Sequence, residues 1–172
     1  MDGVLLARLQ FALTIGFHFL FPPLTIGLAW MLVALEGCAW RTGEEVYKRA
    51  ARFFGLLFGI SFAVGVASGL TMEFQFGMNW ANYSKFVGDI FGAPLAVEGI
   101  FAFFLESGFL GVYLFGRKKL SPAMHWVSIL LVAIGATISA FWILVANSWQ
   151  QTPAGYTINE VLGRAELTSF SA

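Results

Sequence analysis

The sequence predicts an all-α integral membrane protein, a bundle of four transmembrane helices with the N-terminus outside. Three observations carry that reading. The 172 residues are 58% hydrophobic and 17% aromatic with only 12% charged, at a mean hydropathy of +0.76, beyond the usual range of a soluble domain. Four nearly uncharged runs each supply the roughly 20 residues needed to cross a hydrocarbon core of about 30 Å. Finally, the basic residues gather in two of the connecting loops.

The first helix is expected between Arg8 and Glu36, with Pro22 and Pro23 kinking it just after His18. The second runs between Arg52 and Glu73, and its Gly55, Gly59, Gly65 and Gly69 form small-xxx-small spacings suited to close helix packing. The third extends from Pro94 to Gly116 and the fourth from Trp126 to Trp149. Residues 1–172 read as a single membrane domain, with 150–172 an outer tail. The loop after the first helix holds Arg41, Lys48, Arg49 and Arg52, and the loop after the third holds Arg117, Lys118 and Lys119. Seven basic residues therefore stand in these two loops against Arg8, Lys85 and Arg164 elsewhere, and the positive-inside rule makes both loops cytoplasmic.

Composition also excludes several classes. Ten basic and ten acidic residues give a net charge of zero, so no polybasic face suggests nucleic acid. The single cysteine, Cys38, rules out an internal disulfide, and the absence of CxxCH rules out covalent haem attachment. The N-terminus "MDGVLLARLQ" lacks a basic leader and a small-residue cleavage site, so a removed signal peptide is not expected.

Function is carried by the polar residues that remain inside the spans. In the predicted orientation His18 lies in the outer half of the first helix, Glu73 and Gln75 emerge at the outer end of the second, and Glu98 enters early in the third. Glu106, eight residues further on, would sit about 12 Å deeper and roughly 80° around the helix. A carboxylate at such depth costs about 2.5–3.5 kcal/mol on insertion scales, so a functional role is the default for both glutamates. They suit a proton relay or the neighbourhood of a metal, and His18 suits ligation of a metal such as haem iron. Bland readings compete: an interhelical hydrogen bond for His18, pairing with a helix outside the chain for the two glutamates, and a boundary position for Glu73. Gln75, Asn79 and Asn147 read as boundary residues, and His125 as interfacial.

The strings "ARLQFALTIGFHFLFPPLTIG", "GLTMEFQFGMNW", "GDIFGAPLAVEGIFAFFLES" and "SAFWILVANSWQQTP" closely resemble subunit I of the cytochrome bd-type quinol oxidases, in order and over almost the whole chain. The resemblance implies that His18 is an axial ligand to a high-spin haem and that Glu98 stands at the same oxygen-reducing site, close enough to approach its iron. It places Glu106 on the proton route to that site, with Ser107 and Ser139 as hydroxyl partners, and matches Glu73 to a family glutamate. It implies haem b and haem d as a high-spin pair, while the histidine and methionine of the low-spin haem b match nothing in this chain. The implied whole is a multi-pass oxidase of the bacterial plasma (inner) membrane that passes electrons from quinol to dioxygen, with an oxidase subunit II, small membrane subunits and membrane lipid as partners. The family subunit resembles a nine-helix bundle, so the chain looks like an N-terminal fragment, expected to be inactive alone. A proton-coupled transporter or channel, and a structural membrane subunit, are the rival readings from other classes.

Overall fold

A computed structural model describes residues 2–169, and residues 170–172 at the end of the predicted tail lie outside it. Among the described residues, six α-helices make up the four spans. Helix α1 (Gly3–Phe19) and α2 (Phe21–Thr42) form the first, α3 (Glu45–Gly77) the second, α4 (Ala81–Val97) and α5 (Phe104–Gly116) the third, and α6 (Pro122–Gln151) the fourth. Each span is long and apolar enough to cross a membrane. A π-helical segment, Glu98–Phe103, joins α4 to α5.

The break in the first span falls at Leu20, where the sequence places the kink. Pro22 and Pro23 occupy the first turn of α2, where a missing N–H leaves no helical bond unmade. The span is longer than expected, since α2 continues past Glu36 to a left-handed Gly43 at φ 74°. The segment "ANYSKFVGDIFG", read as a loop, is helical from Ala81 onward. Its turn residues are the preceding Met78, Asn79 and Trp80, and backbone bonds from Met78 and Trp80 to the Gln75 carbonyl close the end of α3. Ser84 then steadies the new helix by bonding back to the Phe76 and Trp80 carbonyls.

Two apolar cores hold the spans together. The larger joins Ala29 and Leu32 of α2, Ala51 and Phe58 of α3, Leu110 and Tyr113 of α5, and Ile129, Val132 and Ala133 of α6. The smaller joins Val87, Ile90 and Phe91 of α4 and Ala146 of α6 to Ala165 in the tail. The tail is not featureless. Strands β1 (Tyr156–Asn159) and β2 (Arg164–Leu167) form an antiparallel hairpin that docks on α4, with the Leu167 N–H donating to Asp89 at 2.9 Å. The glycines of α3 do pack as their spacing suggests. A Cβ at Gly55 would meet the Tyr113 hydroxyl at 3.2 Å, and one at Gly65 would meet Phe21 Cβ at 3.2 Å.

Candidate functional site

His18 lies in the last turn of α1 beside the C-terminal part of α3, and two small residues make room for it. A Cβ at Gly69 would lie 3.2 Å from His18 Cε1, so only glycine lets the ring lie so close to α3. Ser68 reaches the ring from the preceding position, with Oγ 2.9 Å from His18 Nδ1, while the same hydroxyl lies 2.9 Å from the Gly65 carbonyl. The Gly65 backbone also bonds the ring, and the other ring nitrogen, Nε2, has no side-chain hydrogen-bond partner among the described residues.

Glu98 opens the π-helical segment and is half-buried. Its Oε1 accepts a 2.7 Å hydrogen bond from Ser139 on α6. Glu98 is also the shared electrostatic neighbour of His18, Glu73 and Glu106. Glu73 is exposed at the end of α3, whereas Glu106 is buried with 7% of its surface accessible. No ion pair or side-chain hydrogen bond engages the Glu106 carboxyl among the described residues. A carboxyl inside an apolar span is costly to keep there, so a functional role is the default.

The distance arithmetic of a regular helix does not hold between the two glutamates. Residues 98–103 bond i to i+5, which makes a wider and shorter turn and changes the face on which Glu106 emerges. One turn of α6 consequently touches both. Ser139 bonds Glu98, and a Cβ at Gly135 would meet the Glu106 backbone N at 3.1 Å, the Ala102 carbonyl at 3.2 Å and Glu106 Cβ at 3.3 Å. Ser139 is thus brought to Glu98 and not to Glu106. Ser107 is half-buried, and its hydroxyl finds no hydrogen-bond partner among the described residues.

A second polar cluster departs from the sequence reading. His125 is not interfacial but buried, with 4% accessibility, because Glu36 is drawn inside with it at 6%. Tyr113 donates to Glu36 Oε1 at 2.9 Å, Arg117 pairs with the same oxygen, and His125 Nδ1 stands 3.5 Å from Oε2. The His125 Nε2 approaches the Tyr113 carbonyl at 3.0 Å. Leu110, buried on the same face of α5 one turn from each, separates this cluster from Glu106. No pattern in the sequence marks the set, since its members come from three helices.

Among the described residues no group of three or more His, Cys, Asp or Glu could hold a bare metal ion. His18 is a single imidazole, which fits a metal that brings its own ring of ligands. The profile of the family described as cytochrome bd terminal oxidase subunit I matches residues 6–172. The chain belongs to that family. It is 54% identical over 170 residues to the cytochrome bd-II ubiquinol oxidase subunit 1 of Escherichia coli, a match over 99% of this chain and 33% of the relative. It is 51% identical over 172 residues to the cytochrome bd ubiquinol oxidase subunit 1 of Bacillus subtilis, over 100% of this chain and 36% of that one. The solved bd oxidase of Geobacillus thermodenitrificans superposes with a TM-score of 0.88 at 30% identity, covering 98% of this chain and 38% of that chain. The chain therefore spans about a third of the length of the bd oxidase subunits it matches.

Proposed function

We propose that this chain forms the oxygen-side part of a terminal quinol oxidase in the bacterial plasma membrane, with the N-terminus outside. The gathering of His18, Glu73 and Glu106, from three separate spans, within electrostatic reach of Glu98 carries the proposal. His18 would hold a high-spin haem through Nε2, its other nitrogen being occupied by Ser68. A haem there, one of a haem b and haem d pair, would supply the iron at which dioxygen is reduced to water.

The chain's own residues then have distinct tasks. Glu98, held by Ser139, would present a carboxylate at the oxygen-reducing site. Glu106, 7% accessible within the third span, would take up and release the protons that reaction consumes. The gap between the two glutamates would be bridged by bound water. Glu73 would add negative charge at the outer edge of the same site. Quinol oxidation, the low-spin haem b and an oxidase subunit II belong to the complete enzyme, and residues 1–172, read as one membrane domain, are expected to be inactive alone.

A reduced-minus-oxidised absorption spectrum of the complete oxidase, wild type beside His18→Ala, tests the reading. Loss of a high-spin signal with the low-spin signal retained is the expected result. An unchanged spectrum would confine His18 to packing, and a wild type without haem would favour a proton-coupled transporter.

A further inference from the structure

We propose that Ser68 is a positioning residue that sets the tautomer of His18 and raises its strength as a ligand, an inference that rests on the haem-binding reading above. The Ser68 hydroxyl has one proton to give. It lies 2.9 Å from the Gly65 carbonyl, three residues back on the same helix, and that oxygen can only accept. With its proton on Gly65, the hydroxyl oxygen faces His18 Nδ1 at 2.9 Å as an acceptor. Nδ1 must then carry the hydrogen, and Nε2 keeps its lone pair free. The opposite arrangement, Ser68 donating to Nδ1, would place the hydrogen on Nε2 and block ligation.

The arrangement also fixes the ring's direction. Gly69 permits the imidazole to lie against α3, and the Ser68 hydroxyl beside it is its side-chain anchor, next to the Gly65 backbone. An N–H held by an acceptor makes the opposite nitrogen a stronger donor, the same device by which carboxylates and carbonyls tune other metal-bound histidines. Stronger donation favours oxidised iron and a stiffer iron–nitrogen bond.

The test compares Ser68→Ala and Ser68→Thr in the complete oxidase by resonance Raman spectroscopy of the reduced high-spin haem and by redox titration. Ser68→Ala is expected to lower the iron–histidine stretching frequency and raise the midpoint potential of that haem alone. Ser68→Thr, which keeps the hydroxyl, is expected to restore both. Wild-type values in Ser68→Ala, or a threonine variant that behaves like the alanine one, would overturn the assignment. If Ser68→Ala does not assemble, Ser68→Cys, somewhat larger and a weaker acceptor, replaces it, and a shift in the same direction is expected, wild-type values again overturning the assignment. His18→Ala is measured alongside. A high-spin signal that survives that substitution defeats the haem reading and this inference together, whereas its loss with an unchanged Ser68→Ala defeats only the inference.

Discussion

Ser139 on α6 donates a 2.7 Å hydrogen bond to Oε1 of Glu98, tying a carboxyl at the start of the π-helical segment to the one turn of α6 that also presses on Glu106. The bond does two things at once. It fixes the direction of the carboxyl and gives one of its oxygens a short hydrogen bond, among the stronger kind when the acceptor is a carboxylate.

Ser139→Ala should therefore weaken the site without emptying it. A hydrogen bond to a charged group contributes about 1.5–3 kcal/mol, so turnover is expected to fall about tenfold or more, with Ser139→Thr close to wild type. Oxygen uptake by the complete oxidase measures this. Equal rates for wild type and Ser139→Ala would show that the orientation of Glu98 does not limit the reaction.

Glu106→Gln preserves shape and removes the exchangeable proton. With 7% of its surface accessible and no partner among the described residues, Glu106 has little structural work that glutamine cannot do. The expected outcome is turnover lower by about 10²–10⁴-fold, the usual span for loss of a proton-transfer group, with haem spectra close to wild type. Undiminished oxygen uptake would remove Glu106 from the proton route.

These residues differ in how far the sequence reveals them. His18, Glu98 and Glu106 stand out because a polar group in an apolar run is costly, and the cost is visible in one dimension. The four spans are legible for the same reason. The helical start of α4 at Ala81 was hidden by "MNWANYS", whose asparagines and serine resemble a loop although Ser84 caps the turn from within. Glu36 was equally hidden, since its burial depends on Tyr113, Arg117 and His125, more than 70 residues away along the chain. Ser68 lies in the small-residue run "GVASGL", which helix packing alone explains, so its contact with His18 leaves no separate signal. The π-helical segment has no sequence period of its own to read.

Gly135 packs directly against Glu106 and the π-helical segment. A methyl group there would press on backbone atoms, the Glu106 N at 3.1 Å and the Ala102 carbonyl at 3.2 Å, which cannot swing aside as a side chain would. Gly135→Ala is expected to cost about 1–3 kcal/mol through overpacking, against a helix-propensity gain of about 1 kcal/mol. Thermal unfolding of the complex should show a lower midpoint. A midpoint at or above the wild-type value would mean that α5 and α6 separate easily at this crossing.

Tyr113→Phe separates the second cluster from the first. Tyr113 is 2% accessible, its hydroxyl donates to Glu36 at 2.9 Å, and its ring lies 4.6 Å from that of His125. Phenylalanine keeps the ring contact and deletes only the bond to the carboxylate. Glu36 retains Arg117 and His125 as partners, so the loss should stay near the lower end of the roughly 1.5–3 kcal/mol for a hydrogen bond to a charged group. Leu110, buried in the apolar core, lies between Tyr113 and Glu106 along α5, and the two clusters share no hydrogen bond among the described residues. The variant is therefore expected to unfold at lower temperature while its turnover and haem spectra match wild type. Slower oxygen uptake from a fully assembled Tyr113→Phe enzyme would instead join the Glu36 cluster to the proton route and make Leu110 a crossing point on it.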